Sequence, residues 1–302
     1  MKRCLVVLLS LLAAGPAGAG VGHRVLHDEA RGRDVPVKIT TPDDAEPGRL
    51  PAVFFSHGLG GSVEAAGYLA EGLAEAGYIV VNVQHPGSDR RVWEGLPRAT
   101  RRPAMRAAAS AEQSRARPAD VSFALTALLG TGDVPIDPAR VGVAGHSFGS
   151  LTARLLAGQR VAGGRSFTDP RFRAAVALSG PPARFDAAVA EIAIPVLHIT
   201  GTRDVSRIDP NLTPADRRDA YDRSPAGHQY LVLYAGADHG VFGGAGERRP
   251  RGRDLERDAA IQGSVLEACI RFFDGFLARP PQPLTHAALE AAVRGLGAVE
   301  SK

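Results

Sequence analysis

The stretch Val141-Gly-Val-Ala-Gly-His-Ser-Phe-Gly-Ser-Leu151 decides how this chain is read. Val141 to Ala144 is a short apolar run suited to a buried strand, and Leu151 to Leu156 has helical character. Between them Gly145-His146-Ser147-Phe148-Gly149 matches G-x-S-x-G in the strand–turn–helix setting that gives the motif its meaning. The turn at the serine is so sharp that side chains two before and two after it would clash, hence the glycines. A helix opening at Phe148 places free N–H groups and a positive dipole end beside the hydroxyl. Ser147 is therefore a candidate nucleophile. The alternative is a glycine-rich turn that merely packs a helix onto a sheet.

Outward from this stretch, apolar runs alternate with helical spacing. Val35 to Thr40 alternates like a half-exposed strand, while Ala52–Ser56, Tyr78–Val83, Ala174–Leu178, Pro195–Thr200 and Gln229–Tyr234 read as further strands. Helices are expected over Glu64–Ala76, Pro118–Leu129 and Ala259–Leu277. Strands apolar throughout, separated by helices, predict an α/β fold with a mostly parallel sheet covered on both faces. Residues 86–117 hold eight arginines and no clean period, and read as an irregular surface loop. About fifteen residues separate Ser179 from Pro195, too few for a helical cap domain. The site is therefore expected to be open, covered at most by residues 86–117. After Arg279 the chain is Pro-rich, then weakly helical, and is expected to pack on the outside or fray.

Acyl transfer builds an oxyanion, and two preorganised backbone N–H groups are the usual answer to it. One is expected from Phe148, directly after the nucleophile. The other is expected from Leu59 in the glycine-rich loop Ser56-His-Gly-Leu-Gly-Gly61. Behind a G-x-S-x-G turn the acid and then the histidine follow in sequence. His198 sits inside an apolar strand and His228 ahead of one, whereas His239 lies just past the carboxyl end of Gln229–Tyr234, where open α/β sheets place their site. His239 is the candidate base. Asp204, just past another strand end, is the candidate acid, with Asp209 its competitor and Asp238 assigned to the turn. His57 and His146 read as satisfied polar neighbours without a role in the triad.

The first residues are a separate object. Met1-Lys-Arg3, the apolar run from Leu5 to Ala14, and Pro16-Ala-Gly-Ala19 have the plan of a signal peptide cleaved after Ala19. The run is too short for a good membrane span. The expected organisation is a signal at 1–19 and one domain over 20–302, with its core near 35–277 and an extension over 279–302. Export would be to the periplasm or the medium. Removing Cys4 leaves Cys269 alone, so no internal disulfide forms. The formal charge of +4, less the two charges of Lys2 and Arg3, leaves +2. Many arginines nearly balanced by acids leave no footprint for nucleic acid or membrane. Hydrophobic residues at 44% and charged residues at 23% are ordinary for a soluble globular domain.

Phe55-Ser-His-Gly-Leu-Gly60 and Gly145-His-Ser-Phe-Gly149 resemble the corresponding motifs of platelet-activating-factor acetylhydrolases and of bacterial dienelactone-hydrolase-like serine esterases. His85-Pro-Gly-Ser88 and Arg117-Pro-Ala-Asp-Val-Ser-Phe123 are similar to stretches of the bacterial group. The likeness runs over roughly residues 35–277. It implies an α/β-hydrolase fold and hydrolysis of a small-molecule carboxylic ester without cofactor or metal, while the missing cap and open pocket predict short acyl groups. The triad and oxyanion donors would sit at the positions above. True dienelactone hydrolases carry a cysteine nucleophile where this chain has Ser147, so lactone opening does not transfer. Polyester-degrading relatives carry an aromatic residue where Ser179-Gly-Pro-Pro182 has none. A serine peptidase or amidase, or a polyester hydrolase, on the same triad is the alternative. A non-catalytic binding protein on this fold would be expected to lack a triad member, and none is missing.

Overall fold

The computed structural model describes residues 20–43, 48–161, 163–206, 208–209, 211–244 and 254–302. The expected signal segment, 1–19, lies outside the described residues. Nine strands are described: β1 (Gly20–Asp28), β2 (Arg33–Thr41), β3 (Leu50–Ser56), β4 (Ile79–Val83), β5 (Ile136–His146), β6 (Phe172–Leu178), β7 (Val196–Arg203), β8 (Gln229–Asp238) and β9 (Gly297–Ser301). They form one sheet in the order β1-β2-β4-β3-β5-β6-β7-β8-β9. The six strands from β4 to β8 run parallel, while β1, β2 and β9 pair antiparallel at the two edges. This is the α/β-hydrolase fold. β5, the strand of the serine motif, lies at the centre of the order.

The helices are α1 (Gly67–Glu75), α2 (Arg98–Ala108), α3 (Ala111–Thr131), α4 (Phe148–Ala157), α5 (Asp186–Val189), α6 (Asp219–Arg223), α7 (His239–Phe242), α8 (Leu255–Leu277) and α9 (His286–Val293). They cover both faces, and the sheet divides the apolar core in two. In β3 the two-residue period sends Val53 and Phe55 toward α1 and α8, and Ala52 and Phe54 toward α3 and α4. The long α8 has its start set by Asp254, which accepts from the Arg257 N–H at 3.0 Å. Its stripe Ile261, Val265, Ala268, Phe272 then meets the sheet. Only the four-residue α5 stands between β6 and β7, so no cap domain is inserted there.

In three places the structure adds to or corrects these expectations. Residues Gly20–Asp28, for which the sequence suggested no element, form β1, paired with β2 along its whole length from Gly20↔Thr41 to Asp28↔Arg33. Most of its side chains face solvent, so no apolar alternation marked it. Residues 86–117 are not irregular: they hold a 3-10 turn at Arg90–Val92, all of α2, and the first turns of α3. α2 buries none of its residues and so lacks an apolar stripe. α3 begins at Ala111 rather than Pro118, with the Ser110 hydroxyl accepting from the Gln113 N–H at 3.2 Å. Its early turns bury polar Gln113 and Arg117, which no hydrophobic period would reveal. Finally, of the two expectations for the segment after Arg279, packing on the outside holds and fraying does not. The segment forms α9, packed on α8, and β9, which extends the sheet beyond β8.

Candidate active site

At the end of β5 the chain reverses at Ser147, whose φ of 57° and ψ of −116° lie outside the regions a side chain prefers. The flanking glycines have direct steric reasons. A Cβ on Gly145 would sit 2.2 Å from the Gly149 carbonyl oxygen, and one on Gly149 would sit 1.8 Å from that of Ser56. Helix α4 can start only because both are bare.

Ser147, Asp204 and His239 directly follow β5, β7 and β8, and the carboxyl ends of these strands bring them together. His239 Nε2 lies 2.9 Å from Ser147 Oγ, and its Nδ1 lies 2.8 Å from Asp204 Oδ1. The histidine side chain is 18% exposed while the carboxylate is sealed, so the site is reached from the serine side. Burial works against ionising Asp204, but the hydrogen bond and charge of His239, with the Arg217 guanidinium, hold its pKa below the usual carboxylate range. An ionised Asp204 facing Nδ1 keeps the proton there and leaves Nε2 free to accept from Ser147. Asp209 stays apart: it accepts from the Asn211 N–H at 3.1 Å. Asp238 caps α7, accepting from the Gly240 N–H at 2.8 Å.

Two residues that the sequence did not single out complete this arrangement. Ser179 Oγ, just past β6, lies 2.5 Å from His239 Nδ1 and shares its proton with Asp204. Arg217 is paired with Asp204 Oδ1 at 3.2 Å and donates to the carbonyls of Ser179 and Gly180 at 3.3 and 3.2 Å. Ser179 could have been suspected from its place at a strand's carboxyl end. Arg217 follows a proline in an arginine- and aspartate-rich turn with no motif to mark it.

Beside Ser147 runs the loop after β3. A Cβ added to Gly58 would lie 3.3 Å from Ser147 Cβ, so the backbone there abuts the nucleophile. Among the described residues the Leu59 N–H has no protein acceptor, whereas those of Gly60 and Gly61 bond to Ser88 and Gly58 carbonyls. The Phe148 N–H opens α4, where no preceding helical turn can accept it. His146 is held against His239, with Nε2 2.9 Å from its carbonyl oxygen, and burial lowers the His146 pKa to about 3. His198 is the core histidine expected: Nε2 meets Gln229 Oε1 at 3.4 Å, and burial lowers its pKa to about 3. Among the described residues no group of His, Cys, Asp and Glu could hold a metal ion, and no helix is long and apolar enough to cross a membrane.

Residues 135–213, from β5 through the loop after β7, match the family model for serine hydrolase (FSH1). The chain is a serine hydrolase. It is similar in structure to a ferulic acid esterase from Streptomyces cinnamoneus, at 22% identity and a TM-score of 0.60, covering 92% of this chain and 97% of that one. A dienelactone hydrolase of Klebsiella pneumoniae gives 20% identity and a TM-score of 0.59 over 84% of this chain and 97% of that one. A puromycin-hydrolyzing peptidase of Mycobacterium tuberculosis gives 19% and 0.60 over 88% of this chain and 40% of that one. No curated protein matches the chain.

Proposed function

We propose that this serine hydrolase is exported and cleaves carboxylic esters of short acyl groups through an acyl-enzyme on Ser147. The observation that carries the reading is the unbroken hydrogen-bonded chain from Asp204 through His239 to Ser147, at 2.8 and 2.9 Å. Ser147 Oγ attacks the ester carbonyl as its proton passes to Nε2. The C–O bond then breaks, and Nε2–H protonates the leaving alcohol. Water, deprotonated by Nε2 in turn, releases the acid. Asp204 holds the imidazole tautomer and stabilises the imidazolium. The N–H groups of Leu59 and Phe148 receive the oxyanion. The esterase and the dienelactone hydrolase among similar structures favour esters. The similar peptidase makes amide cleavage the second reading. Export is supported by the basic–apolar–small plan of residues 1–19.

One experiment reads both halves. Exported protein treated with a fluorophosphonate should show the intact mass of residues 20–302 plus one adduct. The Ser147→Ala variant should take no adduct and lose nearly all p-nitrophenyl acetate turnover. A mass beginning at Met1 refutes export, and adduct or turnover kept by Ser147→Ala refutes the mechanism. Faster cleavage of a peptide anilide than of the ester transfers the assignment to an amidase.

A further inference from the structure

The stretches around His85–Ser88 and Arg117–Asp120 take no part in the chemistry above, yet both converge beneath the Ser56–Gly61 loop. There His85 Nδ1 lies 3.0 Å from Asp120 Oδ2, and its Nε2 lies 2.9 Å from Ser56 Oγ. This is a second Ser–His–Asp chain, with the residue types and spacings of the first. All three side chains are shut off from solvent, and Arg117 Nη2 donates to Ser56 Oγ at 3.2 Å. Ser56 has no route to a substrate, so the cluster acts on what lies above it.

We propose that Arg117 is a positioning residue that holds both donors of the oxyanion hole, with His57 as its partner on the loop side. The inference rests on the acyl-enzyme reading above. Arg117 is wholly buried, and each nitrogen of its fork donates. Nε donates to Thr152 Oγ1 at 3.2 Å and Nη1 to Ser88 Oγ at 2.8 Å, while Nη2 serves both Ser56 Oγ and the His57 carbonyl. Its guanidinium carbon also lies 4.6 Å from the ring centroid of Phe148, the residue that carries the second donor. One planar cation thus touches the backbone that precedes Gly58 and the side chain of Phe148.

His57 transmits this hold to the first donor. Its Nε2 accepts from the His85 N–H at 3.1 Å, so the proton is on Nδ1, which donates to the Gly58 carbonyl at 2.6 Å. The Gly61 N–H donates to the same carbonyl at 3.0 Å. In a planar trans peptide the N–H points opposite to the C=O. Holding the Gly58 carbonyl from behind therefore directs the Leu59 N–H away from the cluster. Burial, with the nearby Arg117 charge, keeps the His57 pKa well below its ordinary value, so this tautomer persists.

Arg117→Lys keeps a positive charge but cannot reach four partners or stack as a plane. It should lower kcat for p-nitrophenyl acetate by about 10- to 100-fold, the range for displaced oxyanion donors, with KM changed by less than about threefold. The Ki of a trifluoromethyl ketone, whose adduct carries the oxyanion, should rise in proportion to the fall in kcat/KM. Labelling of Ser147 in the wild type with kcat and Ki unchanged in Arg117→Lys overturns this inference alone. A wild type that takes no fluorophosphonate overturns the acyl-enzyme reading and this inference with it. Should Arg117→Lys not fold, His57→Gln decides by the same two readouts, because the Nδ1–H aimed at Gly58 is then gone. Loss of folding in both variants overturns the positioning role in favour of a purely structural one.

Discussion

At the scale of single residues, the site rests on placements that are unfavourable elsewhere. Ser147 at positive φ stores roughly 1–3 kcal/mol, which the strand and helix on either side over-determine. Asp204 is a sealed carboxylate that stays charged because His239, Thr200 and Arg217 surround it, Thr200 Oγ1 donating at 2.9 Å. Asp204→Asn removes the charge and presents an amide that favours the wrong imidazole tautomer. Turnover should fall by about 10³–10⁴-fold. Asp209→Asn should change it by less than about twofold, since that side chain serves its own loop. Steady-state rates of the two variants check this, and the reverse order would make Asp209 the acid.

At the scale of elements, α2 is held next to the site by contacts at both of its sides. It is tied to the Ser56–Gly61 loop where Met105 and Trp93 pack on Gly60, the Trp93 indole donating to the Gly60 carbonyl at 2.7 Å. It is tied to the loop after β7 by Arg106, which donates to the Ile208 carbonyl at 2.8 Å. Only the four-residue α5 stands between β6 and β7, so no cap domain walls in a long acyl chain beside Ser147. Each methylene left in water forgoes about 0.8 kcal/mol of binding. The kcat/KM for p-nitrophenyl esters should therefore peak at about two to six acyl carbons, with no gain from longer chains. A series from acetate to palmitate that peaks at dodecanoate or beyond would reveal an apolar groove.

At the scale of the whole molecule, buried histidines tie stability to pH. His57, His85, His146 and His198 all have pKa values lowered in the fold, with burial the largest cause: to about 4 for His85 and about 3 for His146 and His198. Between pH 6.5 and about 4 the unfolded chain binds a proton at each, and the folded chain does not. Stability must therefore fall as pH falls through that window. Below it, Asp120 and Asp204 add to the loss. For both, burial opposes ionisation but hydrogen bonds from partners led by His85 and His239 hold the folded pKa low, so their contribution disappears as they are protonated. Near pH 5 unfolding should take up about four protons, read from the slope of urea-melt stability against pH. A flat profile between pH 7 and 5 would mean that these histidines are charged in the fold.

Ser147, His239, the loop at Leu59 and the parallel core strands were legible in the sequence alone. Each depends on local chemistry: a turn that only glycine flanks can make, or an apolar run long enough for a buried strand. The edge strands β1 and β9 were not, because solvent takes one side of them and their hydrogen bonds come from partners far along the chain. Helix α2 was hidden for a similar reason, having no buried face to impose a period. Choosing Asp204 over Asp209 required seeing which carboxylate reaches Nδ1 across 35 residues. The places of Ser179, Arg217 and Arg117 belong to tertiary structure entirely. Their partners lie on other strands and helices, and a polar group's hydrogen bonds, unlike a hydrophobic stripe, leave no periodic trace in the chain that supplies it.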